Sequence, residues 1–359
     1  MKIKIVAVIL IIVVMFLYGR QPKQIVDDIE MPNVVGYDYI DKNTIRTTTV
    51  LPVYKPDKSI ENKALSVEGE LSKETLGRFQ RKSFQQLGNG KLAVAVYSKK
   101  LARRGIGSLI DSFHRDPKIS EKLYLTVVDG QAKTLLSKQY GEGDNGLFLS
   151  ELIEQNIESG VIPKTNLHYF LSAYFSKIND PFLPFIQKKG DEVIVKGIAL
   201  FKGDRYVGTL GQNKLFVFKA LIENITLGTY KVRINNRENA IIQSINIKHK
   251  YNIQNIKERP NIDIFLNGIG TIIEFKGRKL NQEEITKIEK QMNEQLERQA
   301  TTLIRSFQKL KIDPIGLGDE VRSRTRNFND QKWLKQYPNV KVNIKVHMVI
   351  SEKGVSDGE

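Results

Sequence analysis

Histidines are the residues of this chain with the most direct chemical use, because an imidazole can act as a general base or bind a metal. They are spread so widely that no two have the spacing of a metal-binding pair on one helix. The sequence also contains no G-x-S-x-G nucleophile elbow, no P-loop and no S-x-x-K segment. We therefore predict no catalytic, cofactor-binding or metal-binding residue. Structural roles are expected for His114, His168, His249 and His347.

A glycine pattern offers a second kind of chemistry. Gly141, Gly143 and Gly146 spell G-x-G-x-x-G, which binds a dinucleotide pyrophosphate when it joins a strand to a helix. The segment before it has a helical rather than a strand pattern. Glu142 and Asp144 lie inside the pattern, where their carboxylates would repel a phosphate. We therefore interpret this stretch as a turn between two helices.

Basic side chains surround the single tryptophan near the carboxyl end of the chain. The group consists of Arg322, Arg324, Arg326, Lys332, Trp333 and Lys335. Cations beside an indole ring suit contact with lipid headgroups or with a partner subunit. In the alternative interpretation, Trp333 packs in the core while the cations remain solvated. The residue types are compatible with either arrangement.

The charge of the whole chain narrows the classes of partner. Lys and Arg number 56 against 40 Asp and Glu, a formal net charge of +16, which attracts anionic headgroups, nucleic acids or acidic wall polymers. A solvated basic surface without a ligand is the alternative. No zinc-finger cysteine pair, aromatic RNA-binding motif or long arginine-rich arm is present, so nucleic acid is not an expected partner. The lack of cysteine excludes disulfides and thiolate chemistry.

The amino terminus has the layout of a secretory signal, with Lys2 and Lys4 before an apolar run from Ile5 to Tyr18. No small-x-small cleavage site follows it. A helix of about 15 residues reaches about 22 Å, short of the roughly 30 Å hydrocarbon core, so flanking cations must extend to the interfaces. We predict that residues 1–20 stay attached as a signal and membrane anchor. Its marker residues are Lys4, Ile9, Val13, Phe16, Gly19 and Arg20.

Strand and helix patterns alternate along the rest of the chain, which predicts an α+β fold of two or three domains with antiparallel or mixed sheets covered by helices. We place a boundary in the proline-containing stretch 180–190, giving domains over 21–190 and 191–359, the second subdivided near 228. Strands are predicted over 34–39, 45–53, 92–97, 123–128, 193–201, 205–210, 240–251, 262–275 and 340–350. Helices are predicted over 74–87, 99–113, 132–140, 147–159, 166–175, 213–222 and 281–310, the last being long and capped by Asn281.

Several short segments occur in a distinctive order. They are Leu101-Ala-Arg-Arg-Gly-Ile106; Phe113-His-Arg-Asp116 with the following 123–128 and 132–136; Asp180-Pro-Phe-Leu-Pro184; Gly197-Ile-Ala-Leu-Phe-Lys202 with Val207-Gly208; and Asp313-Pro-Ile-Gly-Leu-Gly318 leading to Trp333. Each segment alone is a weak signal. Their order and spacing over roughly residues 25 to 355 resemble the Ger(x)C family of spore germination proteins.

This resemblance implies a non-enzymatic C-type subunit of a nutrient germinant receptor, built from several α+β domains. It also implies an A-type and a B-type integral-membrane partner, and a place on the outer face of the spore inner membrane. It leaves open whether this subunit contacts the nutrient. Family members are typically lipoproteins, but here Arg20 stands where the lipidated cysteine is expected, after Leu17, Tyr18 and Gly19. Since arginine cannot form the thioether, we expect the apolar segment to supply the anchoring.

Two alternative functions stay open at this stage. One is an exported, membrane-anchored binding protein for an anionic polymer or lipid surface, unrelated to germination. Binding of this kind would weaken steeply with ionic strength. The other is a secreted hydrolase, which would need a pocket with convergent acidic groups of perturbed pKa.

Overall fold

The computed structural model describes residues 29–70, 75, 77–79, 81, 86–88, 90–254, 260–277 and 280–352. The strands are β1 (Ile29–Glu30), β2 (Val34–Tyr39), β3 (Ile45–Tyr54), β4 (Ile60–Gly69), β5 (Gln86–Leu87), β6 (Val94–Ser98), β7 (Tyr124–Val128), β8 (Phe182–Lys189), β9 (Glu192–Lys202), β10 (Arg205–Gly211), β11 (Tyr230–Arg233), β12 (Asn239–Gln254), β13 (Asn261–Lys276) and β14 (Lys341–Glu352). The helices are α1 (Lys99–Arg104), α2 (Gly107–His114), α3 (Ala132–Leu136), α4 (Asn145–Glu158), α5 (Leu167–Ser176), α6 (Leu215–Ile222), α7 (Gln282–Leu310), α8 (Leu317–Ser323) and α9 (Asp330–Gln336). The predicted α+β class with a long helix near the carboxyl end is confirmed.

The larger sheet of the described residues has the strand order β10-β9-β8-β7-β6-β2-β3-β4. Its middle strands, β8, β7, β6 and β2, pair in parallel, and antiparallel hairpins extend both edges. Parallel strands are usually covered on both faces. In β6, Val94 and Val96 join the core with α3 and α4, while Ala95 and Tyr97 join the core with α1, α2 and α5. Helices therefore lie on both sides of this sheet.

A second sheet has the order β11-β12-β13-β14, and α7 packs on one of its faces. The side chain of Asn281 accepts a hydrogen bond from the Glu284 amide, so the predicted cap of α7 is confirmed. Buried positions recur along α7 in steps of three or four: Ile285, Ile288, Met292, Leu296, Ala300, Leu303, Ile304 and Phe307. This stripe packs against inward-facing strand residues such as Leu266 and Met348.

Side chains of α7 also cap the edge of this sheet. Alternate amides of the edge strand β14 donate to α7: Val346 to Glu297 Oε1, Met348 to Asn293 Oδ1 and Ile350 to Glu289 Oε2, at 2.9, 2.9 and 3.1 Å. Glu289, Asn293 and Glu297 are four residues apart and therefore lie on one face of the helix, where they face the successive outward-pointing amides of β14. The edge is thereby closed to pairing with another strand.

The predicted continuous helix over 99–113 is wrong, because the chain forms α1 and α2 with a break at Gly105. Ser98 caps α1 as predicted, its side chain accepting from the Leu101 amide. Gly105 has φ 120°, a conformation that side chains with a Cβ rarely adopt. A Cβ at Gly105 would lie 2.5 Å from Asp204 Oδ2. The first helix ends at Gly105, whose amide donates to the Leu101 carbonyl at 3.2 Å, and the missing Cβ leaves room for the Asp204 carboxylate.

Strands β4, β8 and β11, and the two-residue strands β1 and β5, are not predicted by the sequence patterns. β8 occupies most of the stretch 180–190, in which the sequence patterns predict a boundary between domains. It forms a hairpin with β9, so residues on both sides of 190 belong to one sheet. The division at 190, and the subdivision near 228, stay predictions. Helices α8 and α9 are not predicted either, and α3 ends at Leu136 rather than at residue 140. Within the predicted helix over 74–87, the described residues 75 and 77–79 are helical, but Gln86–Leu87 form β5, so the predicted end at residue 87 is wrong.

Candidate functional site

The residues assigned to the membrane anchor lie outside the described residues, and their role stays a prediction. They are Lys4, Ile9, Val13, Phe16, Gly19 and Arg20. Among the helices that the structure describes, none has the length and apolarity needed to cross a bilayer.

In the predicted group of cations around Trp333, the tryptophan is buried and the cations are exposed to solvent. Trp333 is 2% exposed, and its ring centre lies 5.7 Å from that of Tyr337 and 6.2 Å from that of Phe328. A Cβ at Gly318 would lie 2.6 Å from Trp333 Nε1, so this glycine allows the indole to pack against the backbone. Trp333 therefore occupies the core position that the alternative interpretation gave it.

The cations themselves lie on the surface. Arg322 forms an ion pair with Asp319 at 2.8 Å within α8. Arg324, the residue directly after α8, forms an ion pair with Glu320 at 2.6 Å. The remaining cations, Arg326, Lys332 and Lys335, are exposed. A shallow hollow of about 160 Å³ lies between Arg326, Lys332 and the edge of Trp333. Contact of these cations with a partner or with headgroups stays a prediction.

A different group of side chains connects the larger sheet to the segment that follows α7. We name it the aspartate junction and define it as Asp180, before β8, together with Asp313 and Asp319, which follow α7. Asp180 Oδ2 accepts from the Asp313 amide at 2.9 Å, and the Asp180 amide donates to the Asp313 carbonyl at 3.1 Å. Asp180 Oδ1 accepts from the Gly203 amide at 2.9 Å. One carboxylate therefore holds two loops that are far apart in sequence.

The other two aspartates complete the junction. Asp313 Oδ2 accepts from the Gly318 amide at 2.7 Å, which fixes the start of α8. Asp319 Oδ1 accepts from Ser176 Oγ at 3.0 Å, at the end of α5. Asn179 Nδ2 donates to Asp319 Oδ2 at 3.3 Å. Together these bonds connect α5, the β9–β10 turn and the α7–α8 connection.

Burial gives the junction unusual electrostatics. Asp313 is 2% exposed, and this burial raises its pKa to about 7, with the Asp180 and Asp319 carboxylates adding to the effect. Burial also raises the pKa of Asp180. Among the described residues, buried Asp313 Oδ1, Tyr337 Oη and Trp333 Nε1 have no hydrogen-bond partner. Chemically, the junction can hold a proton on Asp313 near neutral pH.

Three of the segments that carry the family resemblance meet in this region. Asp180 begins one, Asp313 begins another, and both are held together by the bonds above. The segment that ends at Ile106 approaches the same β9–β10 turn, because the Ile106 amide donates to the Asp204 carbonyl at 3.1 Å and the Gly107 amide to Asp204 Oδ2 at 3.0 Å. Sequence reasoning missed this meeting point. An aspartate before proline in both segments is the signal that could have suggested it.

A cleft of about 400 Å³ opens beside the junction. Its lining includes Tyr169, Asn179, Asp180, Glu223 and Pro314. Within the described parts of the chain, no group of three or more His, Asp or Glu side chains is arranged to hold a metal ion. The predictions of no cofactor, metal or catalytic residue stay predictions.

The G-x-G-x-x-G stretch forms a turn between α3 and α4, so its interpretation as a helix-to-helix turn is confirmed. Asp144 caps α4, its Oδ1 accepting from the amides of Gly146 at 2.6 Å and Leu147 at 3.2 Å. A Cβ at Gly146 would lie 2.6 Å from Asn33 Cβ. The amides that a phosphate would need are thus bound by Asp144, and Gly146 serves close packing.

Comparison with known proteins covers nearly the whole chain. The family model described as "Spore germination protein N-terminal domain" matches residues 22–188, and that described as "Spore germination B3/ GerAC like, C-terminal" matches residues 196–354. The spore germination protein GerQC of Bacillus cereus is 32% identical over 355 residues, covering 98% of this chain and 99% of GerQC. YfkR of Bacillus subtilis (strain 168) is 22% identical over 310 residues, covering 81% and 78% of the two chains. The crystal structure of the GerBC protein has the same fold, with a TM-score of 0.60 at 14% identity over 88% of this chain and 96% of that chain.

Proposed function

Because this chain belongs to the family of GerAC-like spore germination proteins, we propose that it is a non-enzymatic, membrane-associated subunit of a nutrient germinant receptor. The observation that carries the proposal is similarity to the two domain models of that family, over residues 22–188 and 196–354. The 32% identity with GerQC supports the same function. These similarities support a role in germination, and the more specific role of a C-type receptor subunit is part of the proposal.

Two integral-membrane proteins, of the A type and the B type, are the proposed partners. The proposed location is the outer face of the spore inner membrane, with residues 1–20 as the anchor. Since Arg20 cannot carry a lipid, attachment depends on the apolar run and on contacts with the partners. Direct contact with the nutrient is not part of the proposal.

The arrangement of the aspartate junction supports a structural rather than a catalytic use of its carboxylates. Asp180 has both oxygens engaged by backbone amides, and Asp313 lies in the core. A general acid or base must reach its substrate within hydrogen-bond distance. These carboxylates instead fix the relative positions of loops.

Co-purification from spore membranes tests the proposal. The full-length chain with a carboxy-terminal tag is isolated from detergent-solubilised spore inner membranes at low and at high salt. We expect the A-type and B-type proteins to remain bound at both salt concentrations, because contacts among apolar membrane subunits are little affected by screening. Loss of both proteins at low salt, or recovery of a wall polymer that high salt removes, would favour the polyanion-binding alternative.

A further inference from the structure

One face of the second sheet is covered by α7, and the opposite face is open. The pairing register assigns side chains to the two faces, since directly paired residues project to the same side. Cross-strand rows on the open face include Lys248, Asn267 and His347, and next to it Lys250, Phe265 and Lys345. The lysines, Asn267 and His347 in these rows are exposed, and Phe265 is half-buried.

Positive charge dominates the open face. The register places on it Lys231, Arg233, Lys248, Lys250, Lys341 and Lys345. Among the described residues of these strands, the acidic side chains that the register assigns to the same face are Asp263 and Glu274. Asp263 is buried and accepts from Asn343 Nδ2 at 2.7 Å. The face is therefore a basic surface on a rigid sheet.

Exposed apolar side chains lie among these cations. Ile269 and Val349 are cross-strand neighbours, 60% and 48% exposed, in the row beside His347. Lys345 Nζ lies 5.3 Å from the centre of the Phe265 ring. A soluble polyanion offers no apolar environment in which these side chains could be buried. A bilayer can bury them at the boundary of headgroups and acyl chains, while its phosphates bind the lysines.

At the β14 edge of the sheet, residues 346–350 are closed to an added strand. The amides of β14 that would pair with an added strand already donate to Glu297, Asn293 and Glu289. A partner that added a strand would have to break these bonds.

We infer that the open face of the β11–β14 sheet docks on an anionic phospholipid surface, with Ile269 and Val349 entering the headgroup region and Lys248, Lys250 and Lys345 contacting lipid phosphates. This inference rests on the proposed function, which places the protein at a membrane. It adds an orientation: α7 faces away from the bilayer, and the basic sheet lies against it.

The absence of cysteine from the sequence makes a site-specific probe simple, because one introduced cysteine is the only labelling site. Full-length protein carries an environment-sensitive fluorophore at Val349→Cys or, as a control, at Thr302→Cys on the exposed side of α7. Each is mixed with vesicles of phosphatidylglycerol and phosphatidylcholine, or of phosphatidylcholine alone. We expect a blue shift and quenching by spin-labelled lipid for Val349→Cys on anionic vesicles, and neither for Thr302→Cys. A probe at Val349→Cys that stays in water on anionic vesicles would overturn the inference.

Charge reversal tests whether this face, rather than total charge, is responsible. The variant Lys248→Glu/Lys250→Glu/Lys345→Glu is expected to reduce the fraction of Val349→Cys probe in lipid at least about tenfold. The matched variant Lys290→Glu/Arg305→Glu/Lys309→Glu changes the same number of exposed cations on α7. It should leave the fraction of Val349→Cys probe in lipid nearly unchanged. An equal loss of lipid-bound probe in the two variants would contradict docking through this face. A blue shift with soluble polyglutamate as large as that on anionic vesicles would contradict docking on lipid.

The two proposals can fail separately. If the sheet variant supports normal nutrient-triggered germination and its probe behaviour is unchanged, the docking inference is wrong and the receptor function stands. If the gene is dispensable for nutrient-triggered germination, the receptor function is wrong whatever the vesicles show.

Discussion

Asp180 and Asp313 bind each other reciprocally through their backbones and one side chain. Asp180 Oδ2 accepts from the Asp313 amide at 2.9 Å, across 133 residues of sequence. The Asp180 amide donates to the Asp313 carbonyl at 3.1 Å. Through Gly203, the same carboxylate also holds the β9–β10 turn. The pair therefore connects the sheet of the amino-terminal part to the end of the long helix.

Replacement of Asp180 by alanine should destabilise the protein. Asp180→Ala leaves the amides of Gly203 and Asp313 without their acceptor, and each such unsatisfied donor costs about 1–3 kcal/mol when buried. Urea unfolding of the purified chain measures the change. Asp191→Ala removes an exposed carboxylate paired with Lys138 and should have little effect. Equal effects of the two substitutions would contradict a holding role for Asp180.

Stability should fall as the pH rises from about 4 to about 7 and then level off. Burial raises the pKa of Asp313 from 3.8 to about 7, so the folded state holds a proton that the unfolded state releases. The contribution is fully present below the unfolded pKa and is lost as the pH rises through about 7, by up to about 4 kcal/mol. Urea unfolding from about pH 5 to pH 8 measures the slope.

The control for this pH dependence is Asp313→Asn, which keeps an oxygen to accept from the Gly318 amide but cannot ionise. Its free energy of unfolding should decline less with pH than that of the wild type, the remaining decline coming from Asp180, whose pKa is also raised by burial. Burial lowers the pKa of His249, which gives a dependence of opposite sign, so the difference between wild type and variant isolates Asp313. Parallel curves for the two proteins would show that Asp313 does not titrate in this range.

The break between α1 and α2 should require glycine at position 105. Gly105→Ala must hold a Cβ at φ 120° and 2.5 Å from Asp204 Oδ2. A residue forced into such a conformation costs about 1–3 kcal/mol. Gly143→Ala is the matched control, because a Cβ there meets nothing within 4 Å, and its effect should lie within about 0.5 kcal/mol. Thermal unfolding compares the two, and a stable Gly105→Ala protein would refute the steric requirement.

Removal of the side chains that cap β14 should open the sheet edge. In Asn293→Ala/Glu297→Ala, the amides of Met348 and Val346 lose their acceptors. We expect a loss of about 0.5–1.5 kcal/mol for each bond and concentration-dependent self-association. Sedimentation velocity detects the association. Glu294→Ala/Thr302→Ala, on the exposed side of α7, should remain as monomeric as the parent.

The sequence predicts elements whose signals are local. The cap at Asn281 and the apolar spacing that follows predict α7, because both act within a few residues. β8 is missed because Pro184 argues against a strand. The register with β7 begins only at Phe185, and the Pro184 carbonyl instead accepts from Thr126 Oγ1 at 2.9 Å. The proline is thus tolerated where the parallel ladder starts.

The candidate sites are less predictable, because their residues meet only in the folded chain. Asp180 and Asp313 each precede a proline, but this shared local pattern does not by itself place the two residues side by side. The composition around Trp333 fits both a surface contact and a core position, and packing against Tyr337 and Phe328 decides between them. The open sheet face becomes visible only when the register aligns Lys250 with Lys345 through Phe265.

Nutrient-triggered germination of spores that lack this gene tests the receptor function most directly. We expect the deletion to abolish the response to at least one nutrient, to leave the response to a non-nutrient trigger intact, and to be restored by the full-length chain. Normal germination of the deletion spores with every nutrient to which the parent spores respond would contradict the function proposed here.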